Sequence, residues 1–375
     1  MVGGRFLPLS SILPSTLGFA VTGHLLFIPP ITLHSLGCIP LDYHRCAMNR
    51  FFLSSLAAIV AVAISCSSPG GSAETVDAAK VQAWMDELSN WGRWGENDEL
   101  GTINLITPEK RKQAAGLVRA GISVSLSHNL LEDAAPDNPA PFEHTFMEMG
   151  GDGTSFFVGD HYGVSYHGHA HTHMDALTHM SYNGKTYNGY PQHKAESGPA
   201  PKLAITNLKN GIFTKGILMD IPRLKGVDYL EPGTAIYPED LTAWEKQAGF
   251  KVEPGDVVFI RTGRWKARAE NGPWDTTGKS SGLSASCVKW FHDRDIAIIG
   301  SDDSADLLPS GVDGIVQPVH LLFLVAMGTP IFDNMDLEAV AEEAARQNRW
   351  EFLLTAAPLA VEGGTGSPLN PIATF

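Results

Sequence analysis

Ile217-Leu218-Met219-Asp220-Ile221 and Val257-Val258-Phe259-Ile260-Arg261 are short apolar runs, and residues 238–247 between them carry their apolar positions at helical spacing. Each run is strand length and the intervening segment is helix length, so the order reads strand, helix, strand. The alternation continues with a helix over 284–293, a strand over 296–300, a helix over 336–347 and a strand over 352–354. Toward the start, residues 75–91 have helical spacing, and Thr107-Pro108-Glu109 supplies a cap and a first-turn proline for a second helix. A strand over 122–126 follows that helix. This pattern predicts a single mixed α/β domain over residues 75–375, without an internal repeat or a domain-sized linker. Residues 132–164, rich in Pro, Gly and acid and weakly periodic, predict a long functional loop.

Composition narrows the function. The chain has 375 residues, 43% hydrophobic and 18% charged, enough for one large core and too apolar for a disordered protein. Asp and Glu number 41 against 27 Lys and Arg, a net charge of −14, which is the wrong sign for holding many phosphates and argues against nucleic acid as a partner. Three of the four cysteines (Cys38, Cys46, Cys66) precede residue 67, leaving Cys287 alone, so the body folds without a disulfide framework.

The front of the chain reads as a delivery segment. From Met48 come Arg50, an apolar run over 51–65, Cys66 and a small, polar stretch, which together predict an export signal over 48–73, too short to span a bilayer. Ala63-Ile64-Ser65-Cys66 resembles a lipobox, with Ala63 where Leu is usual; cleavage after Ala73 is the competing reading. The product is expected to be exported, periplasmic or anchored through a lipid on Cys66. Residues 1–47 are apolar but broken by Pro14, Gly18, Gly23, Pro29-Pro30 and Gly37, and are read as a leader of doubtful status ahead of a biological start at Met48.

Histidine is the unusual entry in the composition: seven of 14 fall between His161 and His193. In an extended strand His167, His169, His171, His173 and Asp175 would project to one side, ~7 Å apart at each step of two. If the chain turns helical after Asp175, His179 joins that residue on one face. Imidazole with carboxylate suits Zn²⁺, Mn²⁺ or Fe²⁺ rather than Ca²⁺ or Mg²⁺. Two other readings stand beside a metal site: a passive metal-sequestering tract, and histidines that satisfy buried carbonyls. Asp175 and its apolar neighbours Met174, Ala176, Leu177 and Met180 favour an ordered site.

His169-x-His171-Thr172-His173-x-Asp175-Ala176-x-x-His179 resembles the HxGTHxDxPxH signature of the cyclase-type metal-dependent hydrolases, which include kynurenine formamidase, isatin hydrolase and trans-dienelactone hydrolase. Arg93-Trp94-Gly95-Glu96-Asn97-Asp98, Tyr187-Asn188-Gly189, Gly255-Asp256, Gly300-Ser301-Asp302 and Gly363-Gly364-Thr365-Gly366 also resemble the family, in its order. The resemblance covers residues 90–375 and implies the family's swivelling β/β/α type of fold. It further implies that His169, His173 and Asp175 bind a divalent metal, Zn or Mn, with His320 and Asp333 completing a second position, so one or two ions per chain, and that His179 is the acid/base. By the same resemblance the chain is expected to form a dimer or tetramer and to act on a small molecule. Three positions depart from the pattern of the short members: His171 replaces Gly, Leu177 replaces Pro, and Asp333 replaces Glu and reaches about one methylene less far. His171 is either an extra ligand or faces away.

The chemistry so implied is hydrolysis of an amide, lactam, ester or lactone by metal-activated water, since a metal with an open position lowers the pKa of bound water and polarises a carbonyl. No serine or cysteine nucleophile is indicated: Cys287 and His292 lie in a segment that reads as structural, and no G-x-S-x-G elbow occurs. Aromatic residues such as Trp91, Trp94, Phe142 and Tyr162 could line a pocket for an aromatic or cyclic substrate. A non-catalytic, exported metal-sequestering protein is the alternative.

Overall fold

The computed structural model describes residues 76–375; the segments read as a leader and an export signal, with Cys66, lie outside the described residues. Thirteen strands occur among those described: β1 (Ser123–Ser125), β2 (Glu143–Gly151), β3 (Phe156–Gly163), β4 (His173–Asp175), β5 (Ile212–Asp220), β6 (Ala235–Ile236), β7 (Val257–Arg261), β8 (Gly282–Leu283), β9 (Ile298–Ser301), β10 (Ile331–Asp333), β11 (Glu351–Ala356), β12 (Gly366–Pro368) and β13 (Ile372–Thr374). Nine of them form one sheet in the order β1-β13-β11-β5-β7-β9-β10-β4-β12. The central strands β5, β7, β9 and β10 are parallel, and the pairings on either side are antiparallel.

This arrangement explains the uninterrupted apolar runs. A central parallel strand is covered on both faces, so every residue of β7, and Ile217, Leu218 and Met219 of β5, is buried. Helix Pro238–Ala248 covers the sheet with Leu241 and Trp244, and the Trp244 indole N–H donates to the Leu218 carbonyl at 2.9 Å. Helix Glu338–Gln347 contributes Val340, Ala341 and Ala344 to the core. Helix boundaries follow local chemistry. Thr107 accepts from the Lys110 amide ahead of Pro108, and Gly249, at φ 78°, ends the helix it follows in the left-handed conformation that glycine adopts freely.

Two expectations need correction. Residues 132–164 are not a structureless loop, because β2 and β3 pair antiparallel as a hairpin with a bulge between Glu148 and Gly150. The turn is held by Asp152, whose Oδ1 accepts from the amides of Thr154 and Ser155; its glycines and acids masked the strand signal on either side. The histidine tract is not one extended ladder either. Only His173–Asp175 is strand, because Asn334 holds the preceding turn: its side-chain amide donates to the Gly168 carbonyl at 2.5 Å and its own carbonyl accepts from Thr172 Oγ1 at 2.7 Å.

Candidate metal centre

β4 lies between β10 and β12, and this register gathers the donors. His173 and Asp175 are two residues apart and share a face, and Asp333 is the direct cross-strand partner of His173. His320 arrives from helix Pro318–Leu321, which is followed by a buried π turn, Leu322–Met327, and ends at Gly328 with φ 65°. Its Nε2 lies 3.0 Å from Asp333 Oδ2 and 3.7 Å from Asp175 Oδ2. The structure thus brings together four of the expected residues, His173, Asp175, His320 and Asp333, all buried.

His169 is placed elsewhere. Its Nδ1 lies 3.4 Å from Asp303 Oδ1, and the imidazole that joins His173 and Asp175 is that of His167. His167 Nδ1 is 3.0 Å from Asp175 Oδ1, its Nε2 is 2.9 Å from Thr365 Oγ1, and its ring stacks on His179 with centroids 4.0 Å apart. The bend at Gly168, rather than strand alternation, decides which imidazole reaches the carboxylate. Two groups of three donors result: His167, His173 and Asp175, and Asp175, His320 and Asp333, with ligand atoms within 4.8 Å of one another in each. Asp175 is common to both.

Supporting contacts fix the ring faces. His173 Nδ1 is 2.8 Å from the His171 carbonyl oxygen, which leaves Nε2 toward Asp175. His320 Nδ1 is 2.6 Å from Asp306 Oδ2, and Asp306 also accepts from the amides of Val319 and His320, so its carboxylate caps the helix and orients the imidazole at once. Asp302 accepts from the amides of Thr262, Gly263 and Arg264, and Arg264 in turn donates to Asn334 Oδ1 at 2.9 Å. Gly366 must be small: a Cβ there would stand 2.6 Å from the Met174 carbonyl oxygen and 2.9 Å from His167 Cε1.

The electrostatics suit a cation. Burial pushes the Asp175 carboxyl upward, but His179, His167 and His173 outweigh it and hold the group well below the usual carboxylate range. His320 shows the reverse balance: burial lowers its pKa, and Asp333 and Asp306 raise it well above an ordinary imidazole. Asp175 Oδ1 and Asp333 Oδ1 are both buried; Asp333 Oδ1 finds no hydrogen-bond partner among the described residues, and Asp175 Oδ1 faces the imidazole nitrogens of His167 at 3.0 Å and His173 at 3.5 Å. A buried carboxylate oxygen left open in a cluster of imidazole nitrogens is what a bound cation would satisfy, so the donor set fits a divalent metal.

Of the remaining candidates, His179 stands beside the cluster with Nε2 3.9 Å from Asp175 Oδ2, and burial lowers its pKa. His171 belongs to neither donor group; both of its ring nitrogens are buried without a partner among the described residues, and burial depresses its pKa to about 4. Sequence reasoning missed Asp306 and Thr365. The acidic run Asp302-Asp303-Ser304-Ala305-Asp306 after a strand was the available signal for the first; nothing local marked the second.

The Cyclase family profile matches residues 124–305. A solved structure described as a novel cyclase is 32% identical, with a TM-score of 0.69 over 77% of this chain and 98% of its own. Isatin hydrolase A from Labrenzia aggregata is 19% identical with a TM-score of 0.44, covering 69% of this chain and 94% of its own. A predicted metal-dependent hydrolase from Bacillus stearothermophilus is 17% identical with a TM-score of 0.42, covering 67% and 97%. A comparison with curated proteins finds no match. A one-third identity sustained over nearly the whole length of the novel cyclase, on the same fold, places this chain in the cyclase family.

Proposed function

We propose that the protein is a metal-dependent hydrolase that opens an amide, lactam, ester or lactone bond in a small cyclic or aromatic substrate. The observation that carries this reading is the convergence of His167, His173, Asp175, His320 and Asp333, with the buried Asp333 Oδ1 left without a hydrogen-bond partner among the described residues. Those residues would hold one or two ions, Zn²⁺ or Mn²⁺ by donor type. When bound, such an ion lowers the pKa of water and polarises a carbonyl. The protein's own part is to aim the donors, through Asp306 on His320 and the His171 carbonyl on His173. His179, kept neutral by burial, takes a proton at Nε2 from the attacking water and returns it to the leaving nitrogen or oxygen.

The distribution of the other histidines argues against a metal sink. His169 is engaged with Asp303, His171 is buried, and His193 contacts the Gly198 carbonyl, so the tract offers no row of free donors. Export, read from residues 48–73, remains part of the proposal and fits a scavenging or detoxifying role. The test is elemental analysis followed by a hydrolysis screen against isatin, N-formylkynurenine, lactams and lactones with and without Mn²⁺ or Zn²⁺. One or two tightly held ions with metal-dependent turnover is the expected outcome; many weakly held ions and no turnover would sink the reading.

A further inference from the structure

Among the donors that converge on the centre, His167 is the one that neither burial nor regular secondary structure holds. His173, Asp175 and Asp333 stand on paired strands and His320 on a helix, whereas His167 lies in the turn before β4 and 27% of its side chain is open. The rings of Tyr166, 4.5 Å away between centroids, and His179, stacked at 4.0 Å, flank the imidazole. Flanking rings limit its tilt; they do not decide which of its two nitrogens meets Asp175.

The contact that decides this comes from the far end of the chain. Thr365 Oγ1 lies 2.9 Å from His167 Nε2, which leaves Nδ1 facing Asp175 Oδ1 at 3.0 Å. Thr365 stands on a tightly held backbone. The carbonyls of Gly363, Gly364 and Thr365 accept in turn from the amides of Ala200 at 3.0 Å, Ile205 at 2.9 Å and Ala176 at 2.9 Å. Only glycine fits the first of these positions, since Gly363 has φ 67° and a Cβ on it would stand 2.3 Å from Pro199 Cβ. The Tyr166 hydroxyl donates to the Gly366 carbonyl at 3.0 Å and ties the segment to the residue next to His167. With the backbone fixed, a single stiff torsion of the β-branched side chain places the hydroxyl.

A hydroxyl also suits what the ring must do. A ring nitrogen that faces a carboxylate oxygen donates its hydrogen, whereas one that holds a cation presents its lone pair and leaves the hydrogen on the other nitrogen. The role of Nε2 in His167 thus depends on what Nδ1 faces. A threonine hydroxyl either donates or accepts, so its bond to Nε2 survives both cases; a carbonyl or carboxylate oxygen, which only accepts, would serve one.

We propose that Thr365 is the positioning residue of His167: carried in by the Gly363–Gly366 turn, its hydroxyl keeps Nδ1 aimed at the cation position shared with His173 and Asp175. The inference rests on the metal-dependent reading above, and it is read out by metal affinity rather than by turnover. Thr365→Val, which keeps the shape and removes the hydroxyl, should weaken metal binding about 10- to 100-fold in a competition titration. It should also shift the visible absorption of Co²⁺-loaded protein, while Thr365→Ser should match the wild type in both measurements. In a His167→Ala background Thr365→Val should cost nothing further, because Thr365 acts only through that ring. Thr365→Ala makes the same deletion should the valine variant lose its native far-ultraviolet circular dichroism. Native affinity in a folded valine or alanine variant would overturn the inference, as would an equal loss with and without His167. Either result in a chain that takes up metal defeats this inference alone; a wild-type chain that takes up none defeats the proposed function with it.

Discussion

Asp175 is the residue on which both donor groups depend, and it separates ligand from acid/base roles. Asp175→Ala and His167→Ala should each reduce bound metal, measured by elemental analysis after dialysis. His179→Ala should retain metal and lose turnover on the order of 10²-fold or more, the usual loss for a general acid/base. Metal loss in the His179 variant would make it a ligand instead. His167 and not His169 was invisible in sequence because the matched spacing, His169-x-x-x-His173-x-Asp175, fits an extended chain, whereas the real chain is bent by Asn334 from another segment. His171 yields a pH prediction. Its pKa is depressed to about 4 from an ordinary imidazole value, so the unfolded chain takes the proton first as pH falls. Its share of stability is present above about pH 6.5 and is lost progressively toward pH 4, up to about 3 kcal/mol. His171→Leu should flatten that part of a denaturant-midpoint profile against pH; an unchanged slope would show that another group carries it.

At the level of elements, the central strands were legible because their composition is set by burial on both faces, and the helix starts because caps are local. The β2–β3 hairpin and the three-residue β4 were not: the first hides behind glycine and acid at its turn, and the second exists only by pairing with β10 and β12. Convergence of His320 and Asp333 on Asp175 was anticipated from the helix ending at Gly328 and the strand beyond it, yet the aim of the His320 ring depends on Asp306, fourteen residues away. Asp306→Asn keeps a side-chain oxygen to cap the helix but weakens the hold on the imidazole. It should lower metal affinity about 10- to 100-fold in a competition titration while the far-ultraviolet spectrum stays native. Native affinity in this variant would reduce Asp306 to a helix cap. Gly366→Ala should act on the opposite wall, since its methyl group would press on the His167 ring and the Met174 carbonyl. The expected result is weaker metal retention of the same kind.

Over the whole molecule, the centre joins segments that are far apart in sequence: His167 to Asp175, Asp306 to His320, Asp333, and Thr365 to Gly366. Folding must therefore bring Asp175 and Asp333, both buried, to one place, and without a cation this concentrates negative charge in a poorly solvated site. A metal that binds the folded form alone stabilises it by mass action, about 4 kcal/mol at a thousandfold excess over its dissociation constant. Adding Mn²⁺ or Zn²⁺ to stripped protein should thus raise Tm by several degrees, given the ~2–4 °C per kcal/mol of domains slightly smaller than this one. Protons compete for the same donors. His320 holds its proton well above the ordinary imidazole range, so metal uptake must release it, and binding must weaken as pH falls. Calorimetric titration in buffers of different ionisation enthalpy would register that release, and the Tm gain should shrink at acid pH. Because Asp175 serves both groups, Asp175→Ala should abolish the metal-dependent rise in Tm at every pH, whereas Asp333→Ala should leave the part that His167, His173 and Asp175 supply; equal loss in both variants would mean that the two groups act as a single site.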